Sequence, residues 1–372
     1  MVAVLVLNAG SSSLKYQVVE PDGTRHLKGL VERVDESGFP AALARMTAEL
    51  EEAGLSRESL AAVGHRVVHG GPDFSDPVLI TDDVLTAIAD LARFAPLHNP
   101  PAVEGIRAAR EEFPDVPHAA VFDTAFFTTL PPASATYAID AGVAAEHGIK
   151  RYGAHGTSHR FVSAAAAAFA GRPLDGLRQI VLHLGNGASV AALRSGRPMD
   201  TSMGLTPLEG LVMGTRAGDL DPGVLLHLLR AGLSVSELDE LLQHRSGLQG
   251  LAGRHDMRDL TAAMAAGDPT AQLAYEVYVH RLRKYIGAYF AALGGVDQVV
   301  FTGGVGEHQA SVRGAALDGL SAMGLAVDPA RNDQPPEGPR EISPAGAPVQ
   351  VLVVPTDEEL EIAREVVALL PR

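Results

Sequence analysis

Apolar positions along the chain fall into two rhythms. Short runs rich in Val, Leu and Ile at 2–7, 14–19, 62–68, 118–122, 179–184, 189–193, 298–301 and 349–354 read as β-strands. Helical patterns cover 101–112, 160–169, 222–230, 269–293 and 358–369. The helix from Pro222 has Asp221 before it as N-cap, proline in first position and Gly232 just past its end. Strands alternating with helices argue an α/β class. The segment 332–348, rich in Pro, Gly and acidic residues, reads as surface loop.

One pattern occurs twice. "VLVLNAGSSSLKYQVV" from Val4 and "QIVLHLGNGASVAAL" from Gln179 both run strand, polar Gly-rich turn, strand. A bare hairpin needs only a two-residue link, so the surplus hydroxyls and amides point to turns that grip an oxygen-rich ligand. With 372 residues, more than one core usually serves, the repeat predicts two similar domains facing each other across a cleft.

Composition narrows the chemistry. The chain is 46% hydrophobic and 20% charged, as a folded globular protein is. A net charge of −15 opposes nonspecific binding to nucleic acid or acidic lipid. With no cysteine, disulfides, iron–sulfur clusters and thiol catalysis are excluded. The opening residues show no signal-like segment, and the apolar run 164–170 is far below a membrane span, so the expected setting is cytoplasmic. Lysine is confined to Lys15, Lys28, Lys150 and Lys284, so each arginine must be judged by its context.

The common nucleotide and hydrolase signatures are absent: G-x-x-x-x-G-K-[ST], G-x-G-x-x-G after a strand, H-E-x-x-H and G-x-S-x-G. In their place "NAGSSS" (8–13), "GNGAS" (185–189) and "TGGVGE" (302–307) each follow an apolar strand. Converging backbone N–H groups in such turns hold anions, and glycine lets phosphate approach. Together they point to a polyphosphate.

Charged residues stand beside strand ends. Arg66 lies within an apolar strand, and Arg216 in a stretch of Gly, Met and Thr. Guanidinium forks suit bidentate phosphate or carboxylate recognition; pairing of Arg216 with a nearby acid such as Asp219 is the alternative. Asp123 follows a buried-looking strand and needs an arginine or a magnesium-bound water as partner. His155, Thr157, Ser158 and His159 surround a further glycine turn, and the two histidines are spaced as zinc ligands without an evident third. At 356–359, Thr356 and Glu359 form a capping-box pattern, which leaves Glu358 free for magnesium.

In order along the chain, "LNAGSSSLKYQ", "GHRVVHGG", "PLHNPP", "VFDTAFF", "RYGAHGTSH", "HLGNGAS", "DTSMGLTPLEGLVMGTRAGDLDP" and "FTGGVGEH" resemble the motifs of the acetate kinase family, the acyl kinases of the acetokinase group. The resemblance covers nearly the whole chain. It implies two duplicated actin-like (ribonuclease H-like) domains with nucleotide in the cleft between them. The first would span 1–125 with 359–372, and the second 126–358. It also implies reversible, magnesium- or manganese-dependent phosphoryl transfer from ATP to acetate, and a homodimer. Arg66 and Arg216 match the family's essential arginines, Asp123 its catalytic aspartate, and His155 the histidine that donates to the phosphoryl group. His98 and His183 match supporting histidines, and Glu358 the magnesium-associated glutamate. Asn8, Ser11, Ser13 and Lys15 would border and brace the phosphate site, with Asn8 near the metal and Lys15 near ATP. Asn186 and Gly187 would meet the nucleotide phosphates; Asp256, Met257, Arg258, Gly304 and Gly306 would border the adenosine. Val68, Leu97 and Pro207 would line the small-acid pocket.

The chain departs from the family pattern at several places. Ala154 stands where the family usually has a Phe that walls the methyl pocket, and Leu205 where Phe is common. "FFTTLP" lacks the usual His-Gln, and His308 replaces Asn. Ala154 therefore leaves propionate or longer acids open as substrates. A sugar kinase using Asp123 as base, or an actin-type ATPase switch, are the rival classes.

Overall fold

The computed structural model describes residues 2–10, 13–32, 38–335 and 337–371. The chain divides into two compact units. One comprises 1–128, 154–161 and 357–372; the other comprises 129–153 and 162–356.

The first unit is built on a six-stranded sheet of order β3-β2-β1-β4-β6-β5. Its strands are β1 (Ala3–Ala9), β2 (Ser13–Val19), β3 (Arg25–Glu32), β4 (Leu60–Val67), β5 (Val78–Leu79) and β6 (His118–Phe122). β1–β3 form an antiparallel meander, β4 and β6 run parallel to β1, and β5 is an antiparallel edge. Strand alternation sends β1 side chains to opposite faces. Ala3, Leu5 and Leu7 join Leu43, Met46, Ala109 and Phe113 in one core. Val4 and Val6 join Leu360, Ile362, Ala363 and Val366 of the C-terminal helix Glu358–Leu369 in the other.

The second unit repeats this plan. Its sheet runs β11-β12-β10-β7-β8-β9, from β7 (Arg178–Leu184), β8 (Ala188–Arg194), β9 (Arg197–Thr201), β10 (Gln298–Thr302), β11 (Arg340–Glu341) and β12 (Gln350–Val353). Each strand of the first sheet has its counterpart six places later, edge strand included, with the same parallel and antiparallel pairings. The repeated hairpin in the sequence is thus the visible end of a duplicated fold. The helix Pro269–Leu293 lies against this sheet and buries Leu282, Ile286, Tyr289 and Leu293. Among the described residues no helix is long and apolar enough to cross a membrane.

Three local expectations are corrected. Residues 156–159 are not a turn but the first turn of the helix Gly156–Phe169. The "GGVGEH" stretch is likewise the short helix Gly303–His308. Segment 332–348 contains β11 and the fully buried Ile342 and Ser343, so it is partly structural.

Between β4 and β6 lies a buried histidine pair. His65 Nε2 and His118 Nδ1 are 2.9 Å apart, and His118 Nε2 is 3.1 Å from Phe113 O. Since a carbonyl only accepts, His118 Nε2 carries the hydrogen, His118 Nδ1 accepts, and His65 Nε2 donates. Burial lowers the pKa of both, well below the usual value for His65; the neighbouring ring adds to this at His65, and the Arg110 charge acts the same way on His118. Both are therefore neutral when folded. Above the unfolded histidine pKa of about 6.5 their contribution to stability is complete; below it the unfolded chain takes up protons that the fold refuses. Below pH ~6.5 the loss should steepen toward a limit of about 1.4 kcal/mol per pH unit for His65, the more strongly shifted of the two, with a smaller share from His118. Urea unfolding from pH 8 to 5.5, compared with His65→Leu/His118→Leu, checks this. Equal slopes in the two proteins would contradict it.

Candidate active site

In the first unit Arg66 closes β4 and Asp123 follows β6, on adjacent parallel strands. Arg66 Nε donates to Asp123 Oδ1 at 3.0 Å and Nη2 donates to Oδ2 at 2.7 Å, a bidentate fork. Arg66 Nη2 also lies 3.6 Å from Glu358 Oε1. Asp123 is 1% exposed, so its charge depends on that guanidinium. Burial pulls the Arg66 pKa down, but the charges of Asp123 and Glu358 outweigh it and hold the pKa above the ordinary arginine value. The sequence demanded a partner for Asp123, and Arg66 is it.

The "GAHGTSH" segment docks on Asp123 from the other side. Gly156 N donates to Asp123 O at 3.1 Å, and a Cβ at Gly156 would lie 2.1 Å from that oxygen. Thr157 Oγ1 reaches Asp123 Oδ1 at 3.5 Å, the outer limit of a hydrogen bond. His155 just before the helix has φ +57°, an uncommon left-handed conformation for a residue with a side chain. Ala154 is buried. His159 is fully buried edge-on to Phe127, at 5.8 Å between ring centres. Among the described residues no three His, Asp or Glu side chains cluster as a metal cage, so His155 and His159 gain no third ligand.

The C-terminal helix supplies Glu358 in its first turn. Its N-cap is Asp357, whose side chain accepts from Leu360 N at 3.1 Å, in place of the expected Thr356–Glu359 box. Glu359 is drawn off instead by an ion pair with Lys15, which stands opposite Asn8 in the first hairpin. Gly10 N donates to Ser13 O across the hairpin turn at 2.8 Å; Ser11 lies outside the described residues. Val68 and Leu97 are half-buried, and His98 precedes the helix Asn99–Glu112. Sequence reasoning missed Asn99, which is fully buried. It accepts from His69 N at 3.2 Å and donates to His69 O at 3.0 Å, pinning the chain three residues beyond Arg66. Its place in "PLHNPP" was the only signal.

In the second unit a cavity of about 630 Å³ is lined by Asn186, Asp256, Met257, Arg258 and Gly304. Gly214 and His308, both within the quoted motifs, also line it, as do Leu248, His255 and Tyr278, which carried no signal in the sequence. Asp256 caps the helix Met257–Ala265, accepting from Arg258 N at 2.8 Å. Arg258 Nε and Nη2 grip the same carboxylate at 3.0 and 2.6 Å, which lowers the Asp256 pKa to about 2. Gly187 closes the turn through its carbonyl, 3.0 Å from Gly185 N. Gly306 is buried at the contact of its short helix with Phe301 and Leu184, off the cavity lining. His183, in β7, is half-buried.

Arg216 donates from Nη1 to Pro207 O at 3.2 Å, and burial lowers its pKa. The acid considered as its partner is engaged elsewhere. Asp219 accepts from Gly210 N at 2.8 Å and from the Tyr285 hydroxyl at 3.0 Å.

Comparison with known proteins adds kinship to this geometry. The acetokinase family model matches residues 34–364. The chain is 54% identical to acetate kinase of Leifsonia xyli over 98% of either chain, and 55% identical to that of Clavibacter michiganensis over 99% of either. A crystal structure of Porphyromonas gingivalis acetate kinase matches with TM-score 0.92 at 41% identity, covering 100% of both chains. A propionate kinase from Francisella tularensis also matches at 0.92, with 39% identity, over 98% of this chain and 99% of that one. With strand order, paired charges and ancestry in agreement, the chain belongs to the acetokinase family.

Proposed function

We infer that the protein is an acetate kinase, moving the terminal phosphoryl of ATP onto acetate to give acetyl phosphate and ADP, and the reverse. Beside kinship, the observation that carries this reading is the fork between Arg66 and Asp123. A sugar kinase must deprotonate a hydroxyl, and the guanidinium charge fixed on both oxygens of Asp123 makes this carboxylate a weaker base. A small carboxylic acid, with a pKa of roughly 4.3, arrives ionised and needs no base. Its barrier is the approach of one anion to another, which calls for fixed positive charge and alignment.

In the first unit Arg66, held by Asp123, orients the acid's carboxylate beside Val68, Leu97 and Ala154, and His155, supported by His98, stabilises charge on the transferring phosphoryl. In the second unit Arg216, supported by His183, serves the phosphoryl of the bound nucleotide. Asn186 and Gly187 meet the nucleotide phosphates, and Asp256–Arg258 and Gly304 border the adenosine. Lys15, paired with Glu359, braces the first hairpin. Glu358 Oε1 is a buried carboxylate oxygen with no hydrogen-bond partner, beside Arg66. Such a hard oxygen fits magnesium, which takes one or two carboxylates together with substrate phosphates. Glu358 and Asp123 would hold it through water, with Asn8 nearby. The ion would supply charge neutralisation on the phosphate oxygens.

Propionate is the second reading, favoured by the small buried Ala154 side chain. The test measures kcat/KM for acetate, propionate and butyrate by acyl-phosphate trapping with hydroxylamine. Acetate is expected to lead, with Ala154→Phe widening its margin over propionate by about tenfold. A change shared equally by all three acids removes the pocket argument. Failure to trap an acyl phosphate from any acid removes the reaction.

We also propose a homodimer. The helix Pro222–Arg230, "PGVLLHLLR", has no buried residue, and Val224, Leu226 and Leu229 are exposed. It carries His227 and Arg230, whereas the next helix, Val235–His244, carries Glu237, Asp239 and Glu240. A two-fold contact would pair these faces reciprocally. Sedimentation should give a dimer that Leu226→Asp splits; a wild-type monomer at micromolar concentration rules it out.

A further inference from the structure

Residues 210–219, "GLVMGTRAGD", form a loop whose two ends meet. Asp219 N donates to Gly210 O at 3.0 Å, and Gly210 N donates back to Asp219 Oδ1 at 2.8 Å. The long helix Pro269–Leu293 closes this junction with two side chains one turn apart. Arg281 Nη1 donates to Gly210 O at 2.8 Å and Nη2 to Asp219 O at 3.2 Å, one fork across both ends of the loop. Tyr285 donates its hydroxyl to the Asp219 carboxylate, 3.1 and 3.0 Å from its two oxygens. Asp219 Oδ2 also lies 3.5 Å from Arg281 Nη1.

Within the loop, Met213 N donates to Arg216 O at 3.1 Å, so Arg216 sits on a tight turn. The far side of the turn rests on a separate support: Leu248 N donates to Met213 O at 3.0 Å and Gln249 N to Gly214 O at 2.8 Å. Gly218, at φ +70°, brings the chain back, and a Cβ there would lie 2.4 Å from Leu211 O. The turn that meets the cavity is thus fixed from one side, and the ends that set the direction of Arg216 from the other.

We propose that Asp219, Arg281 and Tyr285 form a clasp that positions the Arg216 guanidinium, so that they serve phosphoryl transfer without touching substrate. The inference rests on the assignment of Arg216 to the transferring phosphoryl. Bidentate donation across two carbonyls is a task for arginine; lysine offers a point charge without the fork. Asp219, Arg281 and Tyr285 do not line the cavity themselves, so loss of the clasp should change turnover and leave nucleotide affinity alone. An error of about 1 Å in a catalytic group costs roughly 100-fold.

The test is a double-mutant cycle with kcat and ATP KM as readouts. Arg281→Met should lower kcat roughly 10- to 100-fold with ATP KM unchanged within about twofold. Arg281→Lys should recover little of it. In an Arg216→Ala background, assayed at high enzyme concentration, Arg281→Met should add less than about a twofold further loss. Hydrogen exchange should rise in peptides covering 210–219 and stay constant over 247–257. Equal losses in both backgrounds, or normal kcat despite a loosened loop, overturn the clasp. Full activity of Arg216→Ala alone would instead overturn the role given to Arg216. Should Arg281→Met fail to fold, Tyr285→Phe runs the same cycle, and an unchanged kcat there counts against the proposal.

Discussion

Arg66→Ala is expected to abolish turnover, by roughly 10³-fold or more, and to destabilise the protein by about 3–5 kcal/mol. The two losses have separate origins. Turnover falls because the carboxylate of the acid and the phosphoryl it attacks lose a fixed cation. Stability falls because Asp123, 1% exposed, is left with no guanidinium, beside a Glu358 side chain that is only 15% exposed. Breaking a buried pair from one side is far more damaging than removing both members. Combining Arg66→Ala with Asp123→Asn should therefore restore most of the stability while activity stays lost. Denaturant midpoints and acyl-phosphate formation, measured on the single and double variants, read the two effects independently. An ATPase switch of the actin type predicts nearly unaltered ATP hydrolysis in Arg66→Ala. A single variant with normal stability would show that Asp123 is compensated by some other group.

How far the sequence foretold this site follows from where each partner comes from. The central strands were legible because both faces are buried and the apolar runs are nearly continuous. The outer strands β3 and β9 were not: "RHLKGLVE" is largely exposed with a mixed pattern, and "RPMDT" is short and lacks a β-branched apolar run. Gly156 and Gly303 were read as turn residues on propensity, whereas each opens a helix pressed against a carbonyl. The Cβ that glycine lacks would fall 2.1 Å from Asp123 O in one case and 2.8 Å from Leu184 O in the other. For Gly156 that is a tertiary reason for glycine that nothing local reveals; Gly303 adds a left-handed φ of +76°.

Asp123 and Arg66, 57 residues apart, could be paired on paper because both were conspicuous: a charge in an apolar strand and a carboxylate at the end of another. Asp219 could not. The arginine nearest in sequence, Arg216, was the obvious partner, yet the carboxylate is held by a tyrosine 66 residues on. On its helix that tyrosine looks like any other core aromatic. Glu359 shows the same limit. Its capping pattern with Thr356 was sound local chemistry, but Asp357 caps the helix, Thr356 N donates to Glu307 Oε1, and Glu359 pairs with Lys15 from the other end of the chain.

Gly156→Ala is expected to cost about 2–4 kcal/mol: overpacking accounts for about 1–3 and the strained hydrogen bond for about 1. Turnover should fall roughly 100-fold. The added methyl would lie 2.1 Å from Asp123 O and 2.7 Å from Phe126 Cβ. The first is backbone and the second lies close to it, so no rotamer change relieves the clash; the start of the helix Gly156–Phe169 must withdraw. Withdrawal stretches the 3.1 Å bond from Gly156 N to Asp123 O and carries His155 and Thr157 with it. Asp123 keeps its fork to Arg66, so the acid should still bind with a KM close to normal, while kcat falls through the displaced histidine. Gly287→Ala provides the matched control. It sits inside the helix Pro269–Leu293, with nothing within 4 Å of the added carbon, and should stabilise by about 0.5–1 kcal/mol. Thermal unfolding and steady-state kinetics on both variants separate the outcomes. If Gly156→Ala behaves as Gly287→Ala does, the close approach of helix to Asp123 is not what holds His155 in place, and its left-handed backbone must be maintained by other contacts.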